Sequence, residues 1–322
     1  MTSRLSYALS GALSLPDKDR VLLLRAPAAL DLSALPIDRI VAVTGFRPDH
    51  DELAGRVEVA EAVQGEFAAA IICLPRAKAL ALDLIASACA ALPDGAPVIV
   101  DGAKSDGVES ILKLCRAAFD VGEVVSKAHG KCFGFPAKAA PDGWAATPQK
   151  ADGFVTTAGV FSADGIDPGS ALLAMHLGGL SGQVCDLGAG WGFLSRAVLT
   201  SDAVTSVALI EAERTALECA RLNVTDPRAA FHWADATRFE GGPFDWVVSN
   251  PPFHTSRKAD PDLGRAFVAA AARLAPKGRL RMVANRHLPY EAELKGVFGE
   301  TVVLEDRGGY KVIEARKPRR TR

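Results

Sequence analysis

The sequence predicts an α/β protein made of two tandem domains, each with a mostly parallel sheet and helices on both faces. Three observations support this prediction. The chain has 322 residues, which is more than one domain usually holds. In both halves, short β-rich runs alternate with Ala- and Leu-rich helical stretches, as expected for helices that cross over a parallel sheet. The second half also repeats segments of the first.

The second half contains most of the predicted elements. Its strands are apolar runs of β-forming residues, and its helices are the amphipathic or Ala-rich stretches between them. The predicted strands are residues 183–187, 204–210, 230–233, 246–249, 279–283 and 311–315. The predicted helices are residues 170–177, 192–199, 214–224 and 263–274.

The first half repeats part of this order, with strands predicted at residues 21–24, 40–44, 69–74 and 97–100 and a helix at residues 77–91. Residues 67–75 align with residues 244–252, which indicates a tandem duplication into domains at residues 1–145 and 146–322. In the first copy Cys73 stands where the second has Asn250, and no glycine cluster follows its first strand. We therefore expect a degenerate first domain that binds or stabilises the substrate, or that only covers an apolar face of the second.

Composition and charge narrow the class of protein. Hydrophobic residues make up 49% and charged residues 23%, which is typical of a globular protein. No apolar stretch approaches the ~20 residues of a membrane helix, and no signal peptide is evident, so we expect a cytoplasmic protein. The six cysteines lack metal-site spacing, so no metal is expected. The net charge of −1 lacks the basic excess of many nucleic-acid binders.

A glycine-rich turn follows the first strand of the second half. The segment runs from Asp186 through Gly188 and Gly190 to Gly192 and opens a helix. Glycines there let the backbone approach a ligand at the carboxyl end of a strand. The third glycine comes one residue too early for the usual dinucleotide pattern. An acid would also repel a diphosphate but attract the positively charged amino-acid end of S-adenosylmethionine, so the turn predicts that cofactor.

Two further acids follow the next strands. Glu211 ends the second strand, where a carboxylate accepts hydrogen bonds from both ribose hydroxyls. Asp235 follows the third strand and is predicted to accept from the adenine amino group, with Trp233 or Ala236 beside the base. Either acid alone is equally well explained as a solvent-facing residue near a helix start, but both together with the glycine turn indicate a cofactor site.

The tetrapeptide Asn250-Pro251-Pro252-Phe253 directly follows the predicted strand at residues 246–249. Consecutive prolines fix a rigid turn, because they cannot donate hydrogen bonds. The Asn250 carboxamide oxygen and the Pro251 carbonyl are then placed to accept both hydrogens of an amine and to aim its lone pair at a methyl donor. Phe253 offers a face for stacking on an extruded base. The tetrapeptide therefore predicts methylation of an exocyclic nucleobase amine.

Residues from about 155 to 316 resemble the catalytic half of the bacterial ribosomal RNA guanine-N2 methyltransferases of the RsmC and RlmG type. The resemblance rests on matching stretches at residues 159–162, 164–167, 186–190, 249–254, 283–286, 288–290 and 310–312. That family also has two similar methyltransferase-like domains of which the first is degenerate. The resemblance thus implies tandem Rossmann-like methyltransferase domains and extends loosely over the whole chain.

The resemblance also implies roles for particular residues. Phe161, Ser162 and Asp167 are expected to lie beside S-adenosylmethionine, and residues 250–253 are expected to hold the guanine amino group. The implied substrate is ribosomal RNA, most simply the 16S RNA of the small subunit, and the expected oligomeric state is a monomer. The first domain is short and not basic, which leaves open the RNA or assembly state that is recognised.

Other functions remain open at this level. Adenine-N6 nucleic-acid methyltransferases share the tetrapeptide. Protein glutamine methyltransferases use a similar one, usually with Tyr where this chain has Phe253. A catalytically idle RNA-binding or assembly protein could keep the same fold, although the glycines, acids and tetrapeptide of the second half are all intact.

Overall fold

The computed structural model describes residues 3–252, 261–288 and 290–319. The chain divides into two compact units, Met1–Pro148 and Gln149–Arg322. Each unit contains one seven-stranded sheet with helices packed against it. The predicted α/β class with two tandem Rossmann-like domains is therefore confirmed.

Unit 1 (Met1–Pro148) has a mixed sheet in the order β3-β2-β1-β4-β5-β7-β6. Strands β1 to β5 pair in parallel, and β7 pairs antiparallel with β5 and with β6. The strands are β1 (Val21–Leu24), β2 (Ile40–Val43), β3 (Glu58–Ala60), β4 (Ala69–Cys73), β5 (Pro97–Ala103), β6 (Val124–Lys127) and β7 (Gly130–Pro136). The helices are α1 (Arg4–Leu9), α2 (Arg47–Ala54), α3 (Lys78–Ala90) and α4 (Val108–Ala118).

Unit 2 (Gln149–Arg322) opens with a hairpin and repeats the same sheet in the order β12-β11-β10-β13-β14-β16-β15. Its strands are β8 (Gln149–Ala151), β9 (Phe154–Thr156), β10 (Gly182–Leu187), β11 (Val204–Glu211), β12 (Ala229–Trp233), β13 (Trp246–Ser249), β14 (Arg279–Asn285), β15 (Phe298–Arg307) and β16 (Tyr310–Pro318). Its helices are α5 (Pro168–Ala174), α6 (Phe193–Val198), α7 (Arg214–Asn223), α8 (Pro261–Leu274) and α9 (Tyr290–Val297).

The two sheets correspond in register as well as in order. The amide of Arg25, after β1, donates to the Val43 carbonyl, and the amide of Gly188, after β10, donates to Ile210 in the same way. The same alignment places β4 on β13, so that Cys73 corresponds to Asn250. Shared strand order and register extend the sequence repeat to the whole sheet, as a tandem duplication requires.

The central strands of unit 2 are buried on both faces. Residues of β10 alternate between two apolar clusters, with Val184 in one and Cys185 and Leu187 in the other. Strands covered on both faces read as continuous apolar runs, which explains why this part of the sheet was predicted within two residues. Asp186 is the charged residue of this strand, and it is fully buried.

Several elements were not predicted. Strand β15 has a bulge and exposes the Val302 and Val303 side chains at the sheet edge, so its sequence lacks an alternating pattern. Strand β7 contains two glycines, which weaken a strand pattern. The hairpin β8–β9 is too short to give a periodic signal. Within the described part of the chain, no helix is long and apolar enough to cross a membrane.

Candidate functional site

A cleft opens at the carboxyl ends of the central strands of unit 2, the edge where open α/β sheets bind ligands. It is bounded by the turn after β10, the starts of α5 and α6, and the residue after β13. The residues that line it are Phe161, Asp167, Ser170, Gly188, Ala189, Gly190, Trp191, Phe193, Leu194 and Asn250. The structure thus brings together Phe161, Asp167, Gly188, Gly190 and Asn250, which the sequence had nominated separately.

The Asn250 carboxamide is held by Asp167, the N-cap of α5, and by Ser170 in its first turn. Its Nδ2 donates to Asp167 Oδ2 at 3.0 Å and to Ser170 Oγ at 2.8 Å. These contacts use both amide hydrogens and fix which way the group points. No described residue donates to its Oδ1, which remains available as an acceptor in a residue that lines the cleft.

The two prolines that follow Asn250 continue the chain without backbone donors. Pro251 is buried and Pro252 is exposed. The preceding Ser249 donates from its hydroxyl to the Leu187 carbonyl at 2.6 Å, which ties the end of β13 to the end of β10. Phe253 lies outside the described residues, so its predicted stacking role stays a prediction.

Asp186 lies beneath the cleft rather than in its lining. Its Oδ2 accepts a 2.6 Å hydrogen bond from the Ser195 hydroxyl on α6, whereas Oδ1 is buried and no described residue hydrogen-bonds to it. Burial raises the pKa of this carboxyl to about 7, and the nearby Glu211 charge adds to the rise, while the Ser195 hydrogen bonds oppose it. An acid with one unsatisfied buried oxygen is suited to receive a further donor.

Glu211 ends β11 beside the glycine turn. Its Oε2 accepts from the Gly190 amide and its Oε1 from the Glu213 amide, each at 2.7 Å. Burial raises the pKa of Glu211, and these backbone donors oppose the rise. Each carboxylate oxygen has a second lone pair, so the side chain is still able to accept two hydroxyl groups.

The three glycines of the turn differ in what a side chain would meet. A Cβ on Gly192 would lie 2.8 Å from Val224 Cγ2, so this glycine permits α6 to pack on α7. A Cβ on Gly188 would lie 3.2 Å from the Phe267 ring, a tight contact within the core. Gly190 has a positive φ of 55° and no atom within 4 Å of the Cβ position. Open space beside a residue of the cleft makes Gly190 the glycine suited to close approach of a ligand.

Asp235 and Ala236 follow β12, outside the cleft lining. Asp235 Oδ1 accepts from the Thr237 amide at 2.8 Å and from its hydroxyl at 2.7 Å, an arrangement that shapes the local turn. Ala236 is buried. The indole of Trp233 donates to the Ala212 carbonyl at 2.8 Å and fixes the end of β12 against the end of β11.

The segment with Phe161 is anchored to the glycine turn. The Phe161 ring is 62% exposed, and its carbonyl accepts from the Trp191 indole at 2.8 Å. Ser162 has a positive φ of 51° and donates from its hydroxyl to the Gly165 carbonyl.

Asn223, at the end of α7, donates at 2.8 Å to the carbonyls of both Val155 and Trp191. One side chain therefore joins β9, the glycine turn and α7.

Unit 1 lacks the two acids and the amide of this site at the corresponding positions. Leu23 corresponds to Asp186, and Thr44 corresponds to Glu211. Arg25 keeps the left-handed backbone of Gly188, with φ of 57°, but carries a side chain there. Cys73 is buried, and burial raises the pKa of its thiol far above the usual range. Unit 1 is accordingly the degenerate copy.

Some contacts could not be found from local sequence. Ser170, Ser195 and Asn223 support Asn250, Asp186 and Trp191 respectively, from elsewhere in the chain. The Asp-Pro at the start of α5 is a local signal for a capped helix, but it does not indicate a partner 83 residues away. No cluster of potential metal ligands occurs in residues 3–252, 261–288 and 290–319.

Comparisons with known proteins place the chain in a family. Residues 152–314 match the family described as Methyltransferase small domain, and residues 47–145 match its N-terminal counterpart, Methyltransferase small domain N-terminal. The chain is 33% identical over 263 residues to the ribosomal RNA small subunit methyltransferase C of Shewanella sp. (strain MR-4), with 77% of each chain covered. It is 30% identical to the protein of that name from Idiomarina loihiensis, over 70% of this chain and 72% of the relative.

A solved structure shares the whole two-unit architecture. It is the T. thermophilus 16S rRNA N2 G1207 methyltransferase (RsmC) in complex with AdoMet and guanosine, with a TM-score of 0.79 and 26% identity. The match covers 98% of this chain and 92% of that one. The resemblance noted in the sequence is thereby confirmed, and the chain belongs to the methyltransferase small domain family.

Proposed function

We propose that the protein transfers a methyl group from S-adenosylmethionine to the exocyclic N2 amine of a guanine in 16S ribosomal RNA. The observation that carries the proposal is the oriented Asn250, whose Nδ2 is engaged by Asp167 and Ser170 while its Oδ1 is left to accept from a ligand. The names of the relatives and the guanosine in the similar T. thermophilus structure support the choice of guanine in small-subunit RNA.

The residues of the cleft fit S-adenosylmethionine. The buried Oδ1 of Asp186 has no hydrogen-bond partner and can accept from a donor that in turn contacts the cationic amino-acid part of the cofactor. Glu211 retains acceptor capacity for the ribose hydroxyls, and the open face of Gly190 admits the ligand to the backbone. Asp235 and Ala236 are assigned to the adenine, and Phe161 to the wall of the cleft, with Ser162 fixing the turn that follows it.

The remaining chemistry needs few groups from the protein. Bound S-adenosylmethionine supplies an electrophilic methyl group on a sulfonium. Asn250 Oδ1 and the Pro251 carbonyl accept the two amine hydrogens, which orients the nitrogen lone pair and stabilises the positive charge that develops on nitrogen. The N–C bond would form as the S–C bond of the cofactor breaks, and solvent would accept the proton that the methylated ammonium then loses. We assign Pro252 to the rigidity of the turn and Phe253 to stacking on the base.

We assign RNA contacts to unit 1, through a surface that we call the Tyr7 patch: the exposed Tyr7, Lys104 and His129 and the half-buried Lys127. Lys127 Nζ lies 4.6 Å from the centroid of the Tyr7 ring, which is 54% exposed. The Lys104 amide donates to the His129 carbonyl at 2.8 Å, which brings these two residues together. No described carboxylate forms an ion pair with any of the three basic side chains, so they are available to phosphates.

The proposal is tested by methyl transfer to small-subunit RNA followed by nucleoside analysis. The wild type is expected to yield N2-methylguanosine, and Asn250→Ala to yield none while its affinity for S-adenosylmethionine changes little. Cys73→Ala, at the corresponding position of unit 1, is the matched control and should retain turnover. Methylated adenosine as the sole product would favour the adenine-N6 alternative. We further assign the protein to the cytoplasm, where its proposed substrate lies, and light scattering would check the expected monomer.

A further inference from the structure

We infer that Asp167 and Ser170 are positioning residues. They set the orientation of the Asn250 carboxamide, and they require an asparagine rather than an aspartate at position 250. The inference deepens the proposed function, because it rests on Asn250 as the group that accepts the amine. It assigns to Asp167 a task that differs from contact with the cofactor.

Asp167, Ser170 and Asn250 form a closed set of hydrogen bonds that includes the Ser170 backbone amide. Asp167 caps α5 by accepting the Ser170 amide on Oδ2 at 2.7 Å, and the same oxygen accepts from Asn250. The Ser170 hydroxyl accepts the second Asn250 hydrogen at 2.8 Å. A flipped carboxamide would turn its oxygen toward the Asp167 carboxylate and replace that hydrogen bond with a repulsion, although the Ser170 hydroxyl could then donate to the oxygen. The network therefore holds Asn250 Oδ1 on the side away from Asp167 and Ser170.

The charge of Asp167 also explains why an amide is required. An aspartate at position 250 would place a second carboxylate oxygen about 3 Å from Asp167 Oδ2, with no hydrogen between them. Tyr310 is the titratable neighbour that responds to Asp167. Burial raises the pKa of the Tyr310 hydroxyl, and the Asp167 charge adds to that rise. Ser170 and Tyr310 are both neutral, so neither would offset two adjacent negative charges.

Unit 1 shows the same pair of positions changed together. Ser3 caps α1 by accepting the Ser6 amide, as Asp167 caps α5 by accepting the Ser170 amide. Where the cap is serine, the position of Asn250 is taken by Cys73, which has no amide hydrogens to donate. The Ser6 hydroxyl, which corresponds to that of Ser170, donates to Asp31 instead. The acid at the N-cap of α5 and the amide after β13 therefore occur together in unit 2, and both are absent from the corresponding positions of unit 1.

An exchange of charge between the two positions tests the inference. In Asp167→Asn/Asn250→Asp, the new amide would accept from Ser170 and donate to the new carboxylate, which recreates the pair with its polarity reversed. We expect Asn250→Asp alone to lower kcat about 100-fold or more, in line with the loss of an oriented polar group. Asp167→Asn alone keeps an acceptor for both donors and should lower kcat no more than about tenfold. The double variant should exceed Asn250→Asp in kcat by at least about tenfold.

Turnover, affinity for S-adenosylmethionine and thermal unfolding would be measured on all four full-length proteins. A double variant no better than Asn250→Asp, with cofactor affinity within about threefold of the wild type, would overturn the inference. Ser170→Ala is the second probe, and it should lower kcat about tenfold with little change in KM; an unchanged kcat would contradict us. If the wild type methylated no guanine, the proposed function would fail, but the coupling would still be decided by unfolding. A Tm of the double variant above that expected from the two single changes supports the pair, and an additive Tm refutes it.

Discussion

Asp186 should make the stability of the free protein depend on pH in an unusual direction. Its pKa rises from 3.8 to about 7 in the fold, chiefly through burial. An acid with a raised pKa binds its proton more tightly when folded, so its contribution to stability is greatest in acid and is lost as the pH rises from about 4 to about 7. A carboxylate whose pKa is lowered by folding has the opposite effect, because its contribution to stability is lost as the pH falls.

The size of the effect follows from the shift. Three pKa units correspond to roughly 4 kcal/mol in all, of which somewhat more than half falls between about pH 5 and about pH 7.5. Denaturant unfolding of the wild type and Asp186→Asn at these two pH values isolates the contribution of Asp186 to the free energy of unfolding, because the other titrating groups are common to both proteins. We expect the difference in free energy of unfolding to move by up to that amount, in favour of the variant at the higher pH.

The same group should couple cofactor binding to proton release. If the cationic part of S-adenosylmethionine approaches Asp186, the bound state favours the carboxylate, and binding at about pH 6 should release up to about one proton. Calorimetry in buffers with different ionisation enthalpies measures this number directly. Asp186→Asn, with no proton to lose, is the control. A binding enthalpy independent of the buffer, or an unfolding difference independent of pH, would refute the reasoning.

Three further outcomes are expected. Gly192→Ala should lower Tm more than Gly190→Ala, because the new Cβ at position 192 would lie 2.8 Å from Val224. Gly190→Val should weaken S-adenosylmethionine binding more than it lowers Tm. Equal losses of Tm for the two alanine variants in scanning calorimetry would contradict this assignment of a packing role to Gly192 and a ligand-facing role to Gly190. Asn223→Asp removes the two amide donors to Val155 and Trp191 and should weaken cofactor binding about tenfold, while Asn223→Gln is a milder control. Lys127→Glu in the Tyr7 patch should raise KM for RNA and flatten its salt dependence without changing cofactor affinity; an unchanged salt slope would count against RNA contacts.

The sequence predicted the part of the fold that burial dictates. Strands β10 and β13 are covered on both faces, so their apolar runs and the turns that follow them are readable locally. Strand β15 is an edge strand whose exposed valines follow no alternating pattern, and its identity depends on pairing with β16. Such long-range pairing leaves little trace in a single sequence.

The candidate site was predictable where its groups follow the ends of strands, but not in the side chains that support those groups. Gly190 and Asn250 follow strand ends and both line the cleft, whereas the contacts predicted between these residues and a ligand stay predictions. The acid of the glycine turn was predicted to face the ligand, yet the structure buries Asp186 under Ser195, with one oxygen unsatisfied. The bond between Asn250 and Asp167 joins residues 83 positions apart and required the folded chain.

One measurement decides whether Asn250 presents an acceptor to the N2 amine of guanine. Wild-type protein and Asn250→Ala would be incubated with radiolabelled S-adenosylmethionine and small-subunit RNA, free or assembled into subunits, and the digested nucleosides separated. We expect label in N2-methylguanosine with the wild type and none with the variant, although both bind the cofactor. Label in adenosine alone, or equal labelling by the variant, would contradict it.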